Sequence, residues 1–392
     1  EHTGHDLLVE AVGNDPQLEI VIGADMVRFD FRFLLKLFVG AVCGCLALYC
    51  FLRLIPSSSP FIYAPVLLML VSILIIYTSS ITPLIHLDEP VHIHAGMYYE
   101  KNWMPPEICS LQTRDSYSIS GVSRLDGFEI VYLFAGKVAR IFAHFNVEYF
   151  QRYRYFNGLL FLILALLSLK YREYRILTLP LLITPQVWYL FTYFNSDAFS
   201  LFIIIVISYQ IIAKESMTNK YLTNSKNSGG GWYRPLAIGL LFSLLLLIKV
   251  NYYIFIIFLF LVLVKKLCLR EYPHPKRVVR RVAVIVFITA AVFAVRLGID
   301  IGINGINRNE KRVECRIKLS HPLYSPATPL EKRFKFKNLR DRNVPVSDLF
   351  SKYNWGWKTF IHSFGVYYIQ PRAKLDYYKI IMVILIFASL YL

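Results

Sequence analysis

Four side chains that can accept protons or bind metal ions lie close together after an apolar run. Asp88 and Glu89 are adjacent, and His92 and His94 follow them closely. Adjacent carboxylates repel each other and resist the loss of water, so a chain that keeps such a pair against a bilayer usually uses it for chemistry, ion binding or transport. On a helix that starts near Pro90, one of the carboxylates would approach His92 at the first turn.

Three interpretations of this group are open. As a general base supported by histidine, Asp88 would take a proton from a hydroxyl group. As a metal site, the carboxylates and imidazoles would hold a divalent ion such as Mg²⁺ or Mn²⁺. As a helix cap, the carboxylates would only stabilise a helix N-terminus. A cap needs one carboxylate and the chain has two, which favours the base.

A second group of polar residues lies between two apolar runs farther along the chain. Asn195 and Asp197 form a short turn of the kind that any tight helical hairpin uses, which by itself favours a structural role. Their expected position on the same side of the membrane as Asp88 makes a role in one site equally well supported.

Lys249 ends another apolar run at the expected outer interface. A lone ammonium at this depth either extends to the interface or finds an anion. Because Lys249 is expected on the same side as both acidic groups, and a lipid phosphate is the natural partner of a lysine at headgroup depth, we favour a phosphate contact.

The long segment from Arg308 to Lys358 mixes many basic residues with Trp355 and Trp357. Stacked aromatic rings with dispersed cations would suit a sugar or a phosphate. A basic face against anionic lipid explains the charges equally well. Both tryptophans are therefore candidates for substrate binding.

The composition indicates a membrane protein. Of the 392 residues, 56% are hydrophobic, and the mean hydropathy is +0.47, which is too apolar for a soluble protein of this length. The net charge of +17 comes from Lys and Arg in loops between apolar segments, where they orient the chain and meet lipid phosphates. We therefore expect an all-α polytopic membrane protein in contact with membrane lipid and without a nucleic-acid partner.

Several apolar runs are long enough, or nearly so, to cross a hydrocarbon core of about 30 Å. Because a bilayer offers the backbone no hydrogen-bond partners, each run is expected to be a helix. The runs are 33–55, 61–83, 150–169, 176–194, 197–213, 235–250, 252–268, 282–299 and 377–392.

Basic residues between these runs set the orientation. Three loops rich in Lys and Arg, the last of them at 265–281, should be cytoplasmic. That parity places Asp197, Lys249 and the segment 300–376 outside, together with the loop that carries Asp88. Asp88 and Asp197 lie on the same side only if segment 126–146 does not cross the membrane.

The sequence of segment 126–146 indicates whether it spans the membrane. It is interrupted by Glu129, Lys137 and Arg140, and its apolar residues have helical spacing on one face. We expect a helix that lies at the membrane interface rather than one that spans.

The chain is therefore predicted to have four parts. These are an N-terminal polar segment 1–32, a transmembrane module 33–300 whose first outer loop is 84–149, an extracytoplasmic basic and aromatic segment 301–376, and a last helix 377–392 that the chain end cuts short. Cys109 and Cys315 would both lie outside, where they would be able to form a disulfide in an oxidising compartment.

Together these features resemble the GT-C superfamily of integral-membrane glycosyltransferases. That superfamily has an Asp or Asp-Glu in its first outer loop, interfacial helices after it and a further acidic residue in the second outer loop. Asp88 and Glu89 match the first motif, the 126–146 helix and the arginines that follow it match the interfacial helices and the entry to the next span, and Asp197 matches the second motif.

Within that superfamily the chain resembles a bacterial family of predicted membrane glycosyltransferases of unknown function. Four stretches carry this resemblance, namely DEPVHIHAGMYYEKNW, NSDAFSLF, LIKVNYY and SFGVYYIQP.

The resemblance implies an inverting glycosyltransferase on the outer face of a bacterial inner membrane, with a polyprenyl-phosphate sugar donor and a cell-envelope glycan, lipid or protein acceptor. Asp88 would activate the acceptor hydroxyl, with Glu89 and Asp197 as further catalytic carboxylates that orient substrates or a metal, and a basic residue would stabilise the departing phosphate. The candidates for substrate binding are His92, His94, Asn195, Lys249, Trp355 and Trp357.

The alternative is a transporter or flippase for a lipid-linked or anionic solute. Transporters favour broken helices and ionisable groups near the midplane of the membrane. The acidic residues here cluster at the ends of spans, which favours the enzyme. The observation that best separates the candidates is whether Asp88 and Asp197 line one site.

Overall fold

The computed structural model describes residues 63–84, 88–182, 184–223, 232–272, 274–329, 332–333, 344–354 and 356. The chain divides into two compact units, Glu1–Ser57 and Ser58–Leu392, and every feature described below belongs to the second. The predicted segments and residues that lie outside the described residues are 1–32, 33–55, 377–392, Trp355 and Trp357.

The described part of the chain is helical, and no β-strand occurs in it. Numbered in chain order, its α-helices are α1 (Tyr63–Ile81), α2 (Glu89–Lys101), α3 (Val131–Ala143), α4 (Tyr149–Lys170), α5 (Arg172–Leu177), α6 (Leu179–Leu182), α7 (Pro185–Thr192), α8 (Ser196–Ile212), α9 (Met217–Thr223), α10 (Tyr233–Ser243), α11 (Ile254–Cys268), α12 (Pro275–Asn304), α13 (Arg308–Leu319) and α14 (Val346–Ser351).

The helical structure of the described residues confirms the all-α prediction, and its long apolar segments are compatible with a multi-pass membrane protein. They have at least 18 residues and high hydropathy, and a helix of about 20 apolar residues covers the hydrocarbon core. The segments are Tyr63–Ile81, Tyr149–Lys170, Ser196–Thr223, Val250–Cys268 and Pro275–Asn304.

The predicted span 176–194 is not one helix. Its residues fall into the end of α5, α6 and α7, with breaks around Thr178 and Thr184. Pro180 and Pro185 each lie in the first turn of a new short helix, where the missing N–H is tolerated, whereas inside a continuous helix each would remove a hydrogen bond. The pieces pack against α1 and α4, so the segment stays in the bundle although it is broken.

A second interruption separates α10 from α11. After Ser243 the chain forms 3₁₀ turns at Leu244–Leu246 and Val250–Tyr252, and α11 begins at Ile254. Within this break the carbonyl oxygen of Leu247 accepts a hydrogen bond of 2.9 Å from the Ile130 N–H. The break therefore docks on the segment that leads into α3.

Helix α3 has 13 residues. At about 1.5 Å per residue it is too short to cross a hydrocarbon core of about 30 Å, which agrees with the prediction that segment 126–146 does not span. It crosses α2 closely, because a Cβ on Gly136 would lie 2.6 Å from the carbonyl oxygen of Gly96. Glycine alone permits this approach.

Helix α13 is fastened to the loop between α2 and α3. The disulfide Cys109–Cys315 joins them, with a Cα–Cα distance of 5.7 Å, and it confirms the predicted pairing. The His321 N–H also donates to the Ile119 carbonyl oxygen at 3.0 Å. The loop is thus held from both sides, by α2 and α3 within the bundle and by α13 outside it.

Candidate active site

Asp88 immediately precedes α2, and 56% of its side chain is exposed. It occupies the N-cap position, yet its side chain accepts no capping hydrogen bond, so the helix-cap interpretation does not describe it. Its Oδ2 lies 3.5 Å from His92 Nε2 and 3.5 Å from Arg124 Nη2. His92, with a smaller contribution from Arg124, holds the pKa of Asp88 at about 2, although burial opposes the shift. Asp88 is therefore ionised at neutral pH.

His92 is buried behind Asp88, and its Nδ1 lies 2.8 Å from the Tyr132 hydroxyl. Burial lowers the pKa of His92, so the imidazole is neutral at neutral pH. If the Tyr132 O–H donates to Nδ1, the ring proton lies on Nε2, toward Asp88. The predicted support of the carboxylate by His92 is thus present in the structure, with a tyrosine behind it that the sequence did not indicate.

His94 does not join this group. It lies on another side of α2, where its Nδ1 is 2.9 Å from the carbonyl oxygen of Asp115. Residues two apart on a helix do not face the same direction. The structure therefore places His94 against the loop 102–130 rather than beside Asp88.

Glu89 and Arg154 form an ion pair in which both side chains are fully buried. Arg154 donates from Nε to Glu89 Oε1 at 2.7 Å and from Nη2 to Oε2 at 2.6 Å. The backbone N–H of Phe194 also donates to Oε1, at 2.9 Å. The remaining N–H groups of Arg154 bind carbonyl oxygens at the end of α1, those of Ser79, Thr82 and Pro83.

The sequence predicted that Glu89 takes part directly in catalysis. In the structure its side chain is buried, and its oxygens accept hydrogen bonds from Arg154 and from the Phe194 N–H. Through these bonds Glu89 connects the start of α2 with α4 and with the turn before α8.

Asn195 caps α8. Its Oδ1 accepts hydrogen bonds from the N–H groups of Asp197 at 2.9 Å and Ala198 at 3.0 Å, and its Nδ2 donates to the carbonyl oxygens of Leu190 and Tyr193. The residue is 1% exposed. All of these bonds are made within the turn, so the structure supports the structural interpretation of Asn195 over substrate binding.

Asp197 and Lys249 form an ion pair. Lys249 Nζ lies 3.0 Å from Oδ1 and 2.8 Å from Oδ2 of Asp197, and each side chain is 21% exposed. The Tyr252 hydroxyl lies near enough to Asp197 for the carboxylate to act on it. Lys249 is therefore not a lone cation directed only at lipid, as its position in the sequence suggested. An ammonium has three N–H donors, and the carboxylate engages two of them.

The two predicted acidic groups both lie within electrostatic range of Tyr193, on whose hydroxyl the charges of Asp88, Asp197 and Glu89 act. Tyr132, which contacts His92, is also within the field of Asp197. We call the region formed by Asp88, His92, Tyr132, Asp197 and Lys249 the site.

Two further charged residues of the site were missed by the sequence analysis. Arg124 contacts Asp88, and Glu129 acts electrostatically on His92 and Tyr132. Both come from segment 124–130, which begins with a 3₁₀ turn at Arg124–Asp126 and leads into α3. The available signal was Glu129 itself, a carboxylate at the start of an otherwise amphipathic helical pattern.

Segment 124–130 is held by residues of α12 and α13. Two arginines make cation–π contacts with the Phe128 ring. The guanidinium of Arg308 lies 4.7 Å and that of Arg296 5.3 Å from the ring centroid. Asp300 forms ion pairs with both arginines. This cation–π arrangement fixes the backbone on which Arg124 and Glu129 are carried.

A complete metal site is not formed by the described residues. No group of three or more His, Cys, Asp or Glu side chains in this part of the chain is arranged to hold an ion. His94 points to Asp115, and Glu89 is consumed by Arg154. The residues of the first motif therefore do not fit the metal-site interpretation.

Comparisons of this chain with protein-family models, with curated proteins and with solved structures gave no match. The chemistry of the site is therefore inferred from its geometry. An exposed ionised carboxylate, supported by a neutral imidazole, is able to accept a proton from a hydroxyl or to stabilise a developing positive charge. The ion pair beside it offers one further N–H to an anion.

Proposed function

We propose that this chain is an inverting glycosyltransferase of the GT-C type, which transfers a sugar from a polyprenyl phosphate to a hydroxyl group of a cell-envelope glycan, lipid or protein. The observation that carries the proposal is Asp88, an exposed and ionised carboxylate at the end of a membrane-spanning bundle, supported from behind by His92 and Tyr132. This is the arrangement expected of a base that meets a substrate at the membrane surface.

In the proposed reaction the acceptor oxygen bonds to the anomeric carbon while the bond from that carbon to the phosphate oxygen breaks. Asp88 takes the acceptor proton, and polyprenyl phosphate leaves with the bonding electron pair. A carboxylate with a pKa of about 2 is a weak base toward a free hydroxyl. We therefore place the proton transfer late, when the new bond has made the hydroxyl strongly acidic, and Asp88 also stabilises the positive charge on the sugar ring.

Lys249 is proposed to meet the departing phosphate. Two of its N–H groups are directed at Asp197, and the third is proposed to donate to a phosphate oxygen. Asp197 would then hold the ammonium in place and reduce its net charge, so that the released polyprenyl phosphate is bound weakly enough to leave.

The proposed location is a bacterial inner membrane with the site facing the periplasm or the exterior. The disulfide Cys109–Cys315 supports this orientation, because disulfides persist in oxidising compartments. The basic loop 265–281, at the opposite end of α11 from Lys249, is then cytoplasmic, in agreement with the distribution of positive charge in membrane proteins.

A transporter or flippase is the second candidate. The observation that favours it is the break of the predicted span 176–194 into short helices, together with the interruption between α10 and α11, since broken helices are typical of transporter binding sites. The charged residues of the site lie at helix ends rather than midway along the spans, which supports the enzyme.

The test of the proposal is Asp88→Asn in the full-length protein, reconstituted in lipid nanodiscs with a polyprenyl-phosphate sugar. The amide keeps the shape of the side chain but does not accept a proton at this step, so transfer should fall by about 100-fold or more. Asp115→Asn, which removes an exposed carboxylate from the same loop, is the matched control and should keep wild-type turnover.

Near wild-type turnover by the Asp88→Asn protein would remove Asp88 as the base. Movement of the lipid-linked sugar between leaflets of a liposome, without any chemical transfer, would instead identify the transporter.

A further inference from the structure

Glu129 is an acidic residue near the site that takes no part in the proposed reaction. Its Oε2 is buried and makes no hydrogen bond within the described structure. A buried carboxylate oxygen without a donor destabilises a fold. Such groups are rare in native proteins, and each calls for an explanation such as a functional role, a water molecule or an ion.

The backbone at Glu129 does not relax to relieve this cost. Phe128 is held under the Arg308 guanidinium at 4.7 Å, and the Ile130 N–H is bonded to the Leu247 carbonyl oxygen at 2.9 Å. With both neighbours fixed, the Glu129 side chain is kept near His92, Tyr132 and Tyr253, on all of which its charge acts.

A helix-stabilising role for Glu129 explains less. The residue stands just before the N-cap of α3, Ile130, where a negative charge is favourable. A carboxylate that served this purpose would accept backbone N–H groups of the first turn or remain in solvent, whereas Oε2 is both buried and unbonded. The helix dipole accounts for the charge and leaves the orphaned oxygen unexplained.

We infer that Glu129 is a substrate-binding residue whose carboxylate accepts a hydrogen bond from a hydroxyl group of the transferred sugar. The inference rests on the proposed function, and it assigns the two carboxylates different partners. Asp88, which is largely exposed, meets the incoming acceptor, and Glu129, whose Oε2 is buried, meets the donor sugar. An ionised carboxylate has only acceptor sites and so selects hydroxyl donors.

The first test needs no activity. Full-length protein in nanodiscs is melted without substrate, as wild type, Glu129→Gln and the exposed control Glu107→Gln. Because Glu129 has an unsatisfied oxygen in the free protein, neutralising it should leave the Tm unchanged or raise it. A fall of more than about 3 °C for Glu129→Gln alone would overturn the inference, since it would reveal a protein partner for the carboxylate.

The second test removes the hydroxyl from the substrate instead. A series of singly deoxygenated polyprenyl-phosphate hexoses is assayed with wild type and Glu129→Ala. One deoxygenated donor should lose about 10- to 150-fold in kcat/KM with wild type, the range for a hydrogen bond to a charged group, and should lose nothing further with Glu129→Ala. A parallel series of deoxygenated acceptors should show no such coupling.

Two results would overturn the inference. One is that the Glu129→Ala protein loses the same factor in kcat/KM with every donor and acceptor, as it would if the oxygen only bound water. The other is that the effect of Glu129→Ala is coupled to a hydroxyl group of the acceptor. If wild type transfers no sugar at all, the proposed function fails separately. Glu129 is then judged by the rise in Tm that a polyprenyl-phosphate hexose produces, which should be present in wild type and in Asp88→Asn and lost in Glu129→Ala. No rise in wild type would end both proposals.

Discussion

Asp88 and Glu89 are neighbours in sequence with opposite surroundings. Successive residues at the start of a helix point about 100° apart, so one carboxylate reaches outward to His92 and Arg124 while the other turns inward to Arg154. The inward charge is tolerated because a guanidinium and a backbone N–H occupy its oxygens. Adjacent carboxylates thus avoid repulsion through separate partners.

Removing one member of the buried pair should be costly. Arg154→Met leaves Glu89 charged, buried and without its main partner, and we expect a loss of about 3–5 kcal/mol in the free energy of unfolding. Denaturant unfolding of the protein in micelles measures this loss. The double variant Arg154→Met/Glu89→Met should recover much of it, since apolar replacement of both partners is often neutral. A single variant as stable as wild type would contradict the buried arrangement.

His92 should make stability depend on pH. Burial lowers its folded-state pKa below the ordinary value of 6.5, so below that pH the unfolded chain takes up a proton that the folded protein does not. Stability should therefore fall as pH drops from about 7.5 to about 5, by at most about 1.4 kcal/mol per pH unit. Melting temperatures across this range measure it, and His92→Phe should flatten the slope.

The same His92→Phe protein at about pH 8 provides the internal control. There both states of wild type hold a neutral imidazole, so any difference in Tm reports packing alone. An unchanged slope between variant and wild type at lower pH would show that His92 is protonated in the fold.

Variants of Lys249 and Asp197 should separate the effect of this ion pair on stability from its effect on donor binding. Lys249→Met strands a partly buried carboxylate, whereas Lys249→Met/Asp197→Asn removes both charges, so the double variant should regain stability. If Lys249 also binds the donor phosphate, both variants should lose about 1.5–3 kcal/mol of donor affinity, the range for a hydrogen bond to a charged group. Donor titration measures this, and wild-type affinity in the double variant would limit Lys249 to pairing with Asp197.

At the scale of elements, the site depends on a connecting segment rather than on an α-helix. Segment 124–130 carries Arg124 and Glu129, and it is held by Phe128 between arginines of α12 and α13 and by a hydrogen bond to the break before α11. Helix α13 is in turn tied to the preceding loop by the disulfide. The outer layer therefore positions two side chains that the spans alone would leave unsupported.

The disulfide should consequently matter for both stability and turnover. Cys109→Ser/Cys315→Ser opens a link between residues 206 apart in sequence, and we expect a loss of about 2–4 kcal/mol with lower turnover as segment 124–130 loosens. Melting with and without reductant measures it, since reduced wild type should match the variant. Cys268→Ser, which replaces an exposed free cysteine, should behave as wild type. If the double-serine variant melts at the same temperature as oxidised wild type, the disulfide does not stabilise the attachment of α13 to the loop.

At the scale of the whole molecule, charge is distributed along the axis of the bundle. The paired and partly buried charges of the site gather where the loops before α2, α8 and α11 meet. The basic loop 265–281 lies at the other end of α11. The spans between them are apolar, so charge in the described bundle is concentrated at its ends, as a bilayer requires.

The sequence by itself determined the class of the molecule, the approximate position of most described spans and the chain segments that form the site. Length and hydropathy of a run are local properties, and a bilayer admits few backbone solutions for them. The same locality allowed a contact of one of the two carboxylates with His92 to be predicted, because a helical turn brings such residues together, and the structure identifies Asp88 as that carboxylate. The expected position of Cys109 and Cys315 on one side of the membrane allowed their pairing, and the structure shows the bond.

Only the tertiary structure decided what each charge does. Glu89 meets Arg154 and Lys249 meets Asp197, while Glu129 Oε2 has no donor among the described residues, and each of these outcomes depends on residues far apart in sequence. The energy of a charge at a membrane surface is set by its partners and its access to water, which no local pattern encodes. The short helices into which span 176–194 divides pack against α1 and α4, and the hydropathy of the run did not reveal this division.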